Sequence, residues 1–116
     1  MTPFGARLRE IRDEHGLQLQ EMAAALEISA AYLSALEHGR RGRPAPGLVM
    51  QICGYLGLIW DEAEDLKRLA ALSGPRVTVD TAGLDPRATE TANRLAERIA
   101  DLDGATLERL LAILRE

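Results

Sequence analysis

Two short apolar-periodic stretches separated by three residues constrain this chain more than anything else in it. Residues 16–44 read GLQLQEMAAALEISAAYLSALEHGRRGRP. Leu19, Met22, Ala23 and Leu26 recur at helical spacing and place a helix at about 18–26. Glu21, three residues after Gln18, is placed to close a capping box there. Glu27-Ile28-Ser29 is the connection, and Ser29 is a strong N-cap for a following helix that ends at Gly39. Two helices joined by so tight a turn fold across each other.

The rest of the chain is punctuated in the same way. Thr2-Pro3 starts a helix carrying Phe4, Leu8 and Ile11, and Gly16 ends that segment. Pro46 opens a helix to about residue 56 with Leu48, Ile52, Tyr55 and Leu56 inward, and Gly57 closes it. Asp61 to Leu72 is a fifth helix, with acids in its first turn and Lys67 and Arg68 later, matching the helix dipole. Ser73-Gly74-Pro75 breaks the chain. Arg76-Val77-Thr78-Val79-Asp80 alternates and is the only candidate strand; alone it is either extended coil or a strand paired with another chain. Asp85-Pro86 starts a sixth helix to about Leu102, and a seventh spans about 105–115. Aromatics make up 3% of the residues against 47% apolar, so the core is aliphatic and helix-forming. The expected organisation is all-α: a five-helix domain over 1–72, a linker with a short extended strand over 73–84, and a helical hairpin over 85–116.

On a wheel, Leu33 and Leu36 of the third helix face inward. Ala31, Ser34, Ala35 and His38 lie opposite, with Ala30 at the flank. A small face allows close approach, either to another protein or to a DNA groove. In a groove, alanine methyls meet thymine methyls and Ser34 reaches base edges. Arg40, Arg41 and Arg43 follow within one loop and suit phosphate contacts, which favours DNA. Tyr32 reads as a core-edge residue with its hydroxyl toward a phosphate. The net charge of −4 argues against a broad non-specific nucleic-acid binder.

The run GLQLQEMA with ISAAYLSALEHGRR resembles the Xre/Cro/C1-type helix-turn-helix family of bacterial and phage transcription regulators. The resemblance covers about residues 4–58 and includes Arg12, Gly16, Leu17, Ala23, Leu26, Ile28, Ser29, Leu33, Leu36, Glu37 and Gly39. It implies a compact five-helix DNA-binding domain that usually works as a dimer. It also implies that the start of the second helix docks on a phosphate, often through a Gln. Leu19 stands where that Gln is commonest, and Gln18 and Gln20 flank it. Ala30 and Ala31 stand where long polar base-readers are usual. His38, Arg40, Arg41 and Arg43 match positions that touch the DNA backbone or an adjacent groove. Arg12 and Glu37 match a buried ion pair tying the first helix to the third.

In the sixth helix Ala88, Ala92, Leu95, Ile99 and Leu102 are spaced 4, 3, 4 and 3 apart. That seam of about two heptads is right for one partner. With Leu107, Leu110, Leu111 and Leu114 of the seventh helix it exceeds what a hairpin buries alone. The expectation is a homodimer through about 76–116, with Val77 and Val79 pairing across a two-fold axis. The partners read from the chain are therefore double-stranded DNA and a second copy. Two further readings stay open: an antitoxin-type autoregulator whose C-terminal half holds a toxin, and a protein-interaction adaptor. Trp60 reads as a packing residue. His15 and His38 have no Cys or carboxylate at ligand spacing, so neither metal, cofactor nor enzymatic activity is expected. Cys53, the only cysteine, reads as a core residue. The absence of a signal peptide or spanning stretch leads to the expectation of a cytoplasmic protein that does not enter the membrane.

Overall fold

The computed structural model describes all 116 residues and is entirely helical apart from its connections. The chain forms two units, Met1–Val77 and Thr78–Glu116. The first contains α1 (Pro3–Glu14), α2 (Leu19–Ala25), α3 (Ala30–Glu37), α4 (Pro46–Leu56) and α5 (Trp60–Ala71). The second contains α6 (Pro86–Arg98), a single 3-10 turn (Ile99–Asp101) and α7 (Gly104–Leu114).

Local chemistry explains where the helices begin and end. The Thr2 hydroxyl accepts a hydrogen bond from the Gly5 N–H at 3.1 Å, capping α1. The Glu21 carboxylate accepts from the Gln18 N–H at 3.4 Å, and the Ser29 hydroxyl accepts from the Tyr32 N–H at 3.0 Å. Gly39 follows α3 in the left-handed region, at φ 73°. There the Arg40 N–H reaches the Ala35 carbonyl at 2.9 Å and closes the helix end. Gly57 does the same for α4 at φ 68°.

In the first unit α1 packs against α3 and α5, α2 against α3, and α4 against α5. Phe4, Leu8, Met22, Leu33, Ile52 and Leu66 are fully enclosed at its centre. Leu19 is half-buried and packs on this core, as does Ala30. In α4 the inward residues are Val49, Ile52, Cys53 and Leu56, not Tyr55, which is exposed; the helix is rotated from the expected face because Val49 and Cys53 lie one turn apart beside Ile52 and Leu56. Gly5 lies where α1 meets the end of α3. A Cβ there would fall 2.7 Å from the Leu36 carbonyl oxygen, so only glycine allows this approach. Ser73 is buried at the end of α5. Its hydroxyl accepts from the Phe4 N–H at 2.9 Å and donates to the Leu69 carbonyl at 2.5 Å, tying the last helix of the unit to the first.

The second unit buries no residue. The stretch Arg76–Asp80 is coil with Val77 and Val79 exposed, so within one chain it is not a strand; a lone extended segment has no ladder partner. The Thr89 hydroxyl donates to the Thr81 hydroxyl at 2.9 Å, drawing the residues before α6 back onto its first turns. The sixth helix stops at Arg98 rather than near Leu102, where the backbone tightens to the 3-10 turn. The Asp103 carboxylate accepts from the Thr106 N–H at 2.8 Å and caps α7.

Candidate nucleic-acid interface

The α2–turn–α3 unit is built so that one side of α3 is locked and the other is free. Its inward side is fixed by Leu33 and Leu36, both buried, and by Glu37. The Arg12 Nε donates to Glu37 Oε2 at 2.9 Å and its Nη2 to Oε1 at 3.2 Å, a fork that fixes α3 to α1. A third Arg12 donor reaches the Leu17 carbonyl at 3.0 Å, which places the loop before α2 as well. The Glu37 side chain is 2% exposed, and the hydrogen bond to it raises the Arg12 pKa above its ordinary value. The turn between α2 and α3 places Glu27 at φ 59°, the left-handed region. This is a costly conformation for a residue with a Cβ, held by packing on both sides.

The outward side carries the residues singled out in the sequence. None of Gln18, Gln20, Ala30, Ala31, Tyr32, Ser34, Ala35, His38, Arg40, Arg41 or Arg43 is buried. Ala31 and His38 are exposed, while Ser34 and Ala35 are half-buried. The His38 Nδ1 lies 2.8 Å from the Ser34 carbonyl and 3.5 Å from its hydroxyl. A donor at Nδ1 leaves Nε2 free to face outward. Ala30 is set apart from this group, because it packs on the core. Leu19 does the same, which accounts for an apolar residue where a phosphate-binding Gln is usual; its exposed neighbours Gln18 and Gln20 remain beside it.

Two of the three loop arginines have identifiable neighbours. Arg41 stacks over Tyr32, with its guanidinium carbon 5.8 Å from the ring centroid, which holds that charge against α3. Arg43 lies beside Gly74. Its Nε lies 2.9 Å from where a Cβ on Gly74 would stand. None of the three is paired with a carboxylate. The Tyr32–Arg41 stack was not read from the sequence, although an aromatic and an Arg around one helix end are its signal. Trp60, expected as a packing residue, is 84% exposed and has φ 46°. The bend that starts α5 turns the ring outward, while Leu58 takes the buried place. No helix is long and apolar enough to cross a membrane.

A family model described as a helix-turn-helix domain matches residues 3–66, more than half of the chain. The chain belongs to this helix-turn-helix family, of the Xre/Cro/C1 type. It is 38% identical over 96 residues to the HTH-type transcriptional regulator DdrOP3 of Deinococcus deserti, covering 83% of this chain and 60% of that protein. It is 38% identical over 56 residues to an uncharacterised HTH-type transcriptional regulator, RghRB, of Bacillus subtilis, covering 48% of this chain and 40% of that one. It is 33% identical over 61 residues to the HTH-type transcriptional repressor RghR of the same organism, covering 53% and 45%. The matched regions thus span 40% to 60% of these relatives' own lengths.

Proposed function

We propose that this chain is a DNA-binding transcription regulator that acts as a homodimer on an inverted repeat, each α3 lying in the major groove of one half-site. The observation that carries the reading is the outward side of α3, with Ala31 and His38 exposed and Ser34 half-buried between them, bordered by arginines that have no carboxylate partner. In this reading α3 reads bases through methyl contacts and Ser34, and DNA shape adds to the selection. Gln18, Gln20, Arg40, Arg41 and Arg43 hold phosphates. Repression by occlusion of a promoter follows from such a site, and one relative carries the name repressor.

The dimer rests on the second unit. Leu95, Ile99, Leu107 and Leu111 are each between 36% and 48% exposed, with Leu114 at 75% and no residue of the unit buried. Such a surface gains by meeting a copy of itself, with Ala88, Ala92, Leu102 and Leu110 completing the contact and Val77 and Val79 pairing across the axis. Two linked modules also compensate for an alanine-rich reading face. A second reading gives the same apolar surface to a different protein, such as a toxin, while the first unit keeps its role on DNA.

Two measurements test these readings. Mobility shift on genomic fragments should select a set containing an inverted repeat; no preference among fragments overturns sequence-specific binding. Sedimentation should show the whole chain dimeric and residues 1–77 monomeric at micromolar concentration. A dimeric 1–77 fragment overturns the assignment of the interface, and a monomeric whole chain favours the second reading.

A further inference from the structure

We infer that the cleft beside the arginine loop is a binding site for a small monocarboxylate with an apolar body. The cleft lies within the first unit, between residues 43–46, the start of α4 and the last turns of α5. Its volume is about 620 Å³, inside the range of roughly 300–1,000 Å³ typical of ligand sites. Its walls are Pro44, Val49, Met50 and Ala70, with further alanine and proline beside them. Arg43 and Lys67 are its only charged lining residues.

The chemistry of that lining selects its occupant. Arg43 is exposed and has no carboxylate partner, and its Nε lies 2.9 Å from where a Cβ on Gly74 would stand. Lys67 meets only Glu64 at 3.2 Å, an exposed contact that contributes little. Two cations at the edge of an apolar recess are complementary to a molecule with one anionic head and a hydrocarbon body. The head would take the fork of Arg43 and a donor from Lys67, and the body would cover Val49, Met50 and Ala70. Pro44 and Pro46 fix the backbone of one wall, so little ordering is needed on binding. Met50 is 65% exposed, and its flexible thioether can close over bodies of different shape.

The site has a regulatory consequence that rests on the DNA reading. Arg43 cannot hold a ligand carboxylate and a DNA phosphate at once. Occupancy of the cleft therefore weakens DNA binding, and DNA weakens ligand binding by the same factor.

The probe is octanoate, titrated into the whole isotope-labelled chain without DNA and followed by amide chemical shifts. Saturable shifts are expected for amides around residues 45–50 and 67–71. With 1-octanol, and in the variant R43Q/K67Q with an unchanged helical spectrum and melting temperature, affinity should fall by roughly tenfold or more, the loss of a hydrogen-bonded charge pair. Ala71→Trp, at an exposed position, should block the recess while leaving the fold intact. Absence of saturable shifts, or equal binding of octanol, overturns the site. Anisotropy on a duplex taken from the mobility-shift set separates the two claims. Octanoate should lower the affinity of the native chain and not that of R43Q/K67Q. Octanoate binding in a chain that binds no DNA leaves the site standing and removes its regulatory role; DNA binding without octanoate binding removes the site alone.

Discussion

The two units of this chain use similar apolar stripes to opposite ends. In the first unit α1, α3, α4 and α5 each turn a stripe inward, and Phe4, Leu8, Leu33, Ile52 and Leu66 are sealed from water. In the second, the stripe that runs along α6 into the 3-10 turn is at least as regular, yet Leu95 and Ile99 remain open. Amphipathic patterning decides which face of a helix seeks burial. Whether burial follows depends on how many other faces converge on it, and two helices offer too few. The first unit encloses a core of its own, and the second leaves its apolar stripe open.

The comparison breaks most sharply in the first unit. Glu37→Ala removes the partner of Arg12, which is itself mostly enclosed, and should cost about 3–5 kcal/mol. Urea denaturation followed by helical circular dichroism measures it; a loss below about 1 kcal/mol would mean the pair does not hold α3 to α1. Gly5→Ala forces α1 away from the Leu36 and Glu37 carbonyls and should cost about 1–3 kcal/mol, for the loss is one of overpacking. Leu95→Asp in the second unit should leave the first unit's melting unchanged and abolish the sedimenting dimer. A fall in the first unit's stability would show that the two do not fold as separately as their burial implies.

Smaller effects sharpen the picture. Arg41→Ala should weaken binding to all DNA sequences and reduce the salt slope by about 0.9 for each phosphate no longer neutralised, read by anisotropy at several salt concentrations. Acid should act on the caps of the second unit. The Asp103 carboxyl is held below its ordinary pKa by its hydrogen bonds to Thr106, and the Asp85 carboxyl by its hydrogen bonds to Arg87. A depressed pKa contributes stability that is present above the ordinary carboxylate value and is lost as pH falls through the lower, folded value. Fraying of α6 and α7 should therefore begin below about pH 4, visible as a loss of helical signal in isolated residues 78–116.

Much of this molecule is legible in its residues alone. Every helix of the first unit begins and ends within a few residues of its expected bounds, because Thr2, Ser29, Gly39, Pro46 and Gly57 act on neighbours one turn away. The same locality reveals the outward side of α3 and the arginines after it. Other features need partners far along the chain. Gly5 is an ordinary helix glycine until the end of α3 arrives beside it. Ser73 reads as a chain breaker, yet its hydroxyl reaches Phe4, 69 positions earlier. Leu19 looks like a departure from a phosphate-binding pattern until the core shows where it packs.

The sequence by itself determined the helices, most of their caps and the family, since each depends on spacing within a few residues. Only the tertiary structure decided which side Tyr55 and Trp60 would face, that Arg41 would stack on Tyr32 while Arg43 lies beside Gly74, and that a cleft would open between Arg43 and Lys67. These depend on how packed helices rotate and how loops settle against them, and that is fixed by the sum of interactions across the core rather than by any local pattern.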